Sequence, residues 1–334
     1  MKKVLIIYTG GTIGMAAEEK TGKLAPLNFK NLLKELPELN QFDFSVETVS
    51  TELIVDSSNA NPVLWEELIE IIRTQYNNYN GFVVLHGTDT MAFTACALSF
   101  GLQNLNKPVV ITGSQLPLRV IRTDGKENLI SAIEIAGTAD FLHEVAIYFE
   151  YELLRGNRAQ KVSSSHFDAF KSPNYPSLAE SGIKIVYDRS KIQNNTGELN
   201  FDSSFSNNIL VVTLYPGIDL SKWHKIIVDS GVKVVIIRSF GSGNAPTSDQ
   251  YFFAMLAYCQ ENEIVVLNTS QCPEGAVTAP SYETGLWQTK FDVVPGADLT
   301  FEAAVVKSMF LAGKFTGKDL KVALKSPIAG ELSI

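Results

Sequence analysis

Two loops of this chain place threonine hydroxyls beside glycines, and one of them adds a carboxylate. Tyr8-Thr9-Gly10-Gly11-Thr12-Ile13-Gly14 closes the apolar run Val4 to Tyr8, and His86-Gly87-Thr88-Asp89-Thr90-Met91 closes the run Phe82 to Leu85. A hydroxyl is a poor nucleophile until a base removes its proton. The oxyanion made by its attack then needs preorganised donors, such as the backbone N–H groups of glycine-rich loops. Thr88-Asp89 joins a hydroxyl to a carboxylate that can hold a cation or orient a base. Gly10, Gly11 and Gly14 do not have the dinucleotide-binding spacing, and no Gly-Lys-Ser/Thr follows to make a phosphate loop. A tight turn with a threonine in passing accounts for the first loop equally well. His86, a single histidine near a strand end, reads as a structural residue.

Arg155-Gly156-Asn157-Arg158-Ala159-Gln160-Lys161 concentrates three positive charges in an acidic chain. It reads either as a solvated basic loop or as the source of a crevice lysine able to take a proton from a hydroxyl. In Val55-Asp56-Ser57-Ser58, just before a helix, Ser58 has the place of a turn or capping residue. Arg238-Ser239-Phe240-Gly241-Ser242-Gly243-Asn244 reads as a loop after a strand. Cys96, Cys259 and Cys272 form neither a Cys-x-x-Cys pair nor a zinc-type cluster, so neither a disulfide framework nor a structural metal is expected.

The elements that must position these loops belong to an α/β fold. Val4 to Tyr8, Phe82 to Leu85, Val109 to Thr112 and Val145 to Phe149 are short, nearly continuous apolar runs, as a parallel sheet covered by helices on both faces requires. Helices are expected over Pro62 to Tyr79, capped by Asn61, after Met91, and around Asn128 to Ala136. Both threonine loops then lie at the carboxyl ends of strands, where such sheets form ligand crevices. The polar stretch 189–208 is read as a linker between a domain over 1–188 and a smaller α/β domain over 209–334. The latter has strands at Ile209 to Leu214, Val232 to Ile237 and Ile264 to Leu267 and a helix near Ser248 to Glu261. With 28 basic against 36 acidic residues, a net charge of −8 disfavours nucleic acid and membrane surfaces as partners and leaves a small polar molecule. The apolar start is cut short at Thr9, unlike a signal peptide, and the expected location is the cytoplasm.

Taken together, Thr9 to Gly14, Asp56-Ser57-Ser58, His86 to Met91, Ile111-Thr112-Gly113-Ser114-Gln115, Arg155 to Arg158, Gly241-Ser242-Gly243-Asn244-Ala245-Pro246 and Gln271-Cys272 resemble bacterial asparaginases in type, order and spacing. The resemblance is strongest to the cytoplasmic, type I branch and covers essentially the whole chain. It implies a larger N-terminal and a smaller C-terminal domain, dimers or tetramers of identical chains, asparagine as the small-molecule substrate, and no metal or organic cofactor. By position, Thr12 matches the nucleophile, and Thr88, Lys161 and Asp89 match a hydroxyl–amine–carboxylate relay. Ser57 matches a binder of the substrate α-carboxylate and Asp89 the acceptor of its ammonium. Asp56, Ser58 and Asn244 belong with the substrate-binding residues. Arg238, Ser270 and Cys272 resemble a second, allosteric asparagine site, with Ser270 in place of a threonine. Read by itself, Cys272 is instead a small buried residue at a strand end.

One departure stands out. Members of the family usually carry a tyrosine in the loop after the nucleophile, but Ala16 to Pro26 has none, and Lys23 takes its place. This charged segment is expected to act as a mobile lid. A glutaminase-asparaginase and a catalytically weak amino-acid-binding regulatory protein are the alternatives. The amidase part of a tRNA-dependent amidotransferase is disfavoured, since only eight residues precede Thr9. If the loop residue limits activation of Thr12, Lys23→Tyr raises the turnover of asparagine, measured as ammonia release; an unchanged turnover means another group already serves the threonine.

Overall fold

The computed structural model describes residues 1–17, 24–26, 36–278 and 286–333. Residues 18–23, with Lys23 and most of the expected lid, lie outside them. The chain divides into two compact units, Met1–Ser203 and Ser204–Ile334.

In the first unit, eight strands build one sheet: β1 (Lys3–Gly10), β2 (Ser45–Val55), β3 (Gly81–Leu85), β4 (Val109–Thr112), β5 (Val145–Phe149), β6 (Glu152–Arg155), β7 (Ala179–Ser181) and β8 (Ile185–Tyr187). Their order is β8-β7-β6-β5-β4-β3-β1-β2. From β2 to β5 the pairing is parallel, with Val4 opposite Gly81 and Val109 opposite both Phe82 and Val145. From β5 to β8 it is antiparallel. Strands β3, β4 and β5 are buried along their whole length, which explains their unbroken apolar sequences. Edge strand β2 is only half-buried and lacks such a run.

Helices α1 (Pro62–Gln75), α2 (Met91–Gly101) and α3 (Gly125–Thr138) connect the parallel strands. The Asn61 side chain accepts from the Val63 N–H at 2.9 Å, as an N-cap should. Helix α1 buries Leu64, Trp65, Leu68, Ile69 and Ile72 and stops at Gln75, short of the expected Tyr79, because a 3₁₀ turn takes over from Tyr76 to Asn78. Between β5 and β6 the chain reverses through Glu150 and Tyr151, both left-handed at φ 43° and 71°, a conformation that costs non-glycine residues about 1–2 kcal/mol each. The buried Asn128 side chain accepts from the Glu150 N–H at 3.0 Å and so helps to hold the turn.

Much of the stretch 189–208 is fastened to the first unit. Asn195 donates to the carbonyls of Leu105 and His143, Gln193 N–H donates to Glu144, and Asn200–Phe201 pairs with Leu102–Gln103. In the second unit, β9 (Ile209–Thr213), β10 (Val234–Ser239), β11 (Val265–Ser270) and β12 (Val294–Pro295) form a parallel sheet in sequential order. Helices α4 (Leu220–Ser230), α5 (Gln250–Glu261), α6 (Phe301–Ala312) and α7 (Gly317–Lys325) accompany it. Among the described residues, no helix is long and apolar enough to cross a membrane.

The second unit hides an ion pair. Lys307 Nζ lies 2.6 Å from Glu331 in full burial and donates to the Ser326 carbonyl, while Glu331 accepts from the Ile328 and Ala329 N–H groups. Burial pushes the Lys307 ammonium below its ordinary value, and Glu331 opposes that shift. Lys307→Met therefore strands a buried carboxylate and lowers stability by about 3–5 kcal/mol in urea unfolding, whereas adding Glu331→Gln recovers much of the loss. A loss below about 1 kcal/mol in the single variant would show that Glu331 finds another partner.

Candidate active site

The loops after β1, β2, β3 and β4 interlock at the carboxyl edge of the sheet through glycines. Gly10, at φ 121°, sits so close to the Val55 carbonyl that a Cβ there would overlap it. Gly11, at φ 87°, lies against the backbone of Gly87, and Gly87 in turn against the Ser57 side chain. Gly113 presses on the His86 carbonyl. Any larger residue at these points would push two loops apart.

The two threonines of the first loop differ. Thr9 is buried and its hydroxyl donates to the Leu85 carbonyl at 2.8 Å, a structural tie to β3. Thr12 opens a 3₁₀ turn, Thr12–Gly14, and is half-buried.

His86 behaves as expected of a structural residue. It is buried, with Nδ1 2.7 Å from the Gly87 carbonyl and Nε2 3.0 Å from the Thr94 hydroxyl, which itself accepts from Trp65 Nε1 at 3.1 Å. A carbonyl can only accept, so Nδ1 carries the proton and Nε2 accepts from Thr94. Donation thus runs from Trp65 through Thr94 and His86 to Gly87, fixing the loop that carries Thr88 and Asp89.

Lys161 reaches this loop by an indirect path. Strand β6 is antiparallel to β5 and ends at Arg155, beside the start of β5, at the far edge of the sheet from the threonine loops. A turn at Gly156–Arg158 then packs Gly156 against Ala95 and Ser99 of α2. The chain next forms the short pair Gln160–Lys161 with Phe170–Lys171. Lys161 Nζ donates to Thr88 Oγ1 and to Asp89 Oδ1, both at 2.7 Å. Its side chain is 16% exposed, against 64% for Asp89. The solvated-loop reading is corrected here. Arg155 and Arg158 are buried, Arg155 pairs with Glu144 at 2.6 Å, and both guanidinium groups stack on Tyr175.

Thr88 also donates to Gln115 Oε1 at 3.3 Å. The Asp124 carboxylate fixes the backbone at that point, accepting from the N–H groups of Gln115 at 2.8 Å and Leu116 at 3.1 Å, while Asn128 Nδ2 donates to the Gly113 carbonyl. Sequence reasoning missed Asp124 and Asn128. Asp124 has the place of an ordinary N-cap before α3 but makes no capping bond; its carboxylate serves the preceding loop instead.

Asp56 caps the 3₁₀ turn Ser57–Asn59, accepting from the Ser58 N–H at 2.9 Å and its hydroxyl at 2.7 Å. Those two bonds hold its carboxyl below the usual carboxylate range. Ser57 is buried and its carbonyl accepts from the Thr90 hydroxyl at 2.6 Å, whereas Ser58 is exposed. The structure thus joins Thr88, Asp89 and Lys161 directly, with Ser57 and Thr12 on loops locked to theirs.

The remaining expected residues belong to the second unit. Asn244 is exposed on a tight turn whose backbone pairs with Phe240. The Arg238 guanidinium lies 4.3 Å from the Phe301 ring centroid. The Ser270 hydroxyl donates to the Gly241 carbonyl at 2.6 Å and accepts from the Cys272 N–H at 2.9 Å. Cys272 is exposed, which corrects its reading as a buried strand-end residue: it stands two residues past the end of β11 at Ser270. Among the described residues, no group of three His, Cys, Asp or Glu side chains is placed to hold a metal.

Family models described as "Asparaginase, N-terminal" and "Glutaminase/Asparaginase C-terminal domain" match residues 3–193 and 208–322. The chain is 38% identical to L-asparaginase 1 of Escherichia coli strain K12 over 99% of its own length and 98% of that protein's. It is 35% identical to the 60 kDa lysophospholipase of Mus musculus, with all of this chain but only 63% of that one covered. The crystal structure of L-asparaginase I from Vibrio cholerae superposes with a TM-score of 0.90 at 34% identity, covering 100% of this chain and 99% of that one.

Burial holds the His86 imidazole down at about 4, so the folded state refuses a proton that the unfolded chain accepts below about 6.5. The unfolded state therefore binds more protons between these values, and stability present near neutral pH is lost as the pH falls from about 6.5 to about 4, by on the order of 3 kcal/mol. Urea unfolding at several pH values should show this slope, and His86→Gln should reduce it. An equal slope in both proteins would mean that His86 is not held neutral.

Proposed function

This chain belongs to the asparaginase/glutaminase family of amidohydrolases, and on that premise we propose that it hydrolyses the side-chain amide of L-asparagine to L-aspartate and ammonia with Thr12 as the nucleophile. The observation that carries this reading is the placement of Lys161 Nζ, 2.7 Å from both the Thr88 hydroxyl and the Asp89 carboxylate, whose own loop touches the backbone of Gly11.

In this reading the Thr12 oxygen attacks the amide carbon and its proton passes through the Thr88 hydroxyl to the Lys161 amine. The Asp89 carboxylate stabilises the ammonium so formed. Backbone N–H groups of the glycine loops face the developing oxyanion. The proton returns to the amide nitrogen, ammonia leaves, and an ester on Thr12 remains. Water attacks that ester by the same relay, releasing aspartate and restoring the hydroxyl. Ser57 and the turn capped by Asp56 receive the substrate carboxylate, and the well-exposed Asp89 receives its ammonium; Ser58 completes this unit's binding set. Glutamine differs by one methylene, worth about 1–3 kcal/mol of discrimination, so a lesser glutaminase activity accompanies the main one. We place the enzyme in the cytoplasm as a homodimer or homotetramer, on the family resemblance.

Direct contact between Lys161 and Thr88 favours a second reading, in which Thr88 itself attacks. Thr12→Ala and Thr88→Val each lower the rate of ammonia release on the order of 10³-fold or more with the fold retained, and Lys161→Met lowers it by about 10²–10⁴-fold. Mass spectrometry of an acyl-enzyme trapped at low pH locates the ester. An ester on Thr88, or full activity in Thr12→Ala, would overturn the assignment of Thr12.

A further inference from the structure

Beside the relay, a cavity of about 470 Å³ opens between the loop after β4 and the segment 164–167. Its size suits a small-molecule ligand. Arg122, Ser164, Ser165 and His166 line it, and Gln115 forms part of its wall. Arg122 has no ion-pair partner among the described residues, and neither the His166 ring nor the hydroxyls of Ser164 and Ser165 have a hydrogen-bond partner among them. The nearby Asp168 carboxylate is occupied by Lys171 at 2.8 Å. Four exposed residues whose donor groups have no partner among the described residues, one of them a permanent cation, thus line one space in a chain of net charge −8.

We propose that this cavity is a subsite for small dicarboxylate anions, coupled to Thr88 through Gln115. The planar guanidinium of Arg122 takes one carboxylate by a paired contact, and the imidazole and hydroxyls supply donors for the other. The coupling path is short. Gln115 Nε2 donates to the His166 carbonyl at 3.0 Å, and its Oε1 accepts from the Thr88 hydroxyl at 3.3 Å. A ligand that draws on the segment 164–166 therefore pulls on the amide that orients Thr88. Given the activity proposed above, on which this part rests, the reaction's own product is a dicarboxylate, and the subsite senses its accumulation.

Succinate, which lacks the ammonium that Asp89 would receive, is the probe. Calorimetric titration of the full-length protein should show saturable succinate binding that weakens at least about tenfold in Arg122→Gln and in His166→Ala, the loss expected for a charged or well-placed donor, but persists in Thr88→Val. No binding to the wild type, equal binding in Arg122→Gln, or binding lost only in Thr88→Val would overturn the site. Saturating succinate should also change the rate of asparagine hydrolysis at least twofold in the wild type and leave it unchanged in Arg122→Gln. An unchanged wild-type rate with the cavity filled would overturn the coupling. If asparagine yields no ammonia at all, the proposed activity fails while the titration still decides the subsite.

Discussion

Four loops meet at one edge of the first unit's sheet, and glycine stands where their backbones approach most closely. Gly10 against Val55, Gly11 against Gly87, Gly87 against Ser57 and Gly113 against His86 are contacts between main chains or with a side chain's first atoms. At Gly10 and Gly11 the atoms that a Cβ would meet are all backbone, with no flexible side-chain tip to absorb a change. The threonines, the carboxylate and the serine are therefore positioned by backbone, which is stiffer than any side-chain contact. The hydrogen-bonded line from Trp65 through Thr94 and His86 to Gly87 adds a second anchor, drawn from helices α1 and α2.

Lys161, which meets Thr88 and Asp89, comes from elsewhere and is held by different forces. Its segment leaves β6 at the opposite edge of the sheet, passes under α2 and carries two arginines into the interior. A buried guanidinium is costly unless paired, and here Glu144, the Lys191 carbonyl and the Tyr175 ring supply the compensation for Arg155. Those contacts also recruit residues 191 and 193, so a polar stretch that looks like a connector serves to lock the path of the lysine.

The sheet was legible because its central strands are buried on both faces and so carry unbroken apolar runs, and α1 because Asn61 and Pro62 mark its start in the usual way. Edge strand β2 and the antiparallel strands β6 to β8 were harder to read, since short or half-buried strands show no such signal. At the site, Thr88, Asp89 and Lys161 could be named from residue type and resemblance together. Asp124 could not, because its signature is that of a helix cap and its partners, the N–H groups of Gln115 and Leu116, lie upstream of it. Nor could the buried arginines, since a run of positive charge gives no hint of a carboxylate, a carbonyl and an aromatic ring waiting 11 to 36 residues away.

The sequence distance across the relay sets an order of assembly. Thr12, Ser57, Thr88 and Asp89 all come from the first 89 residues, but the bonds from Lys161 span 73 and 72 residues. During synthesis the glycine-locked rim can close early, whereas the lysine cannot arrive before the β5–β6 reversal has formed and its segment has threaded past α2. Lys161 is therefore the last of these residues in the chain to reach the rim. The left-handed turn at Glu150 and Tyr151 thus lies on the path that brings Lys161 to Thr88 and Asp89.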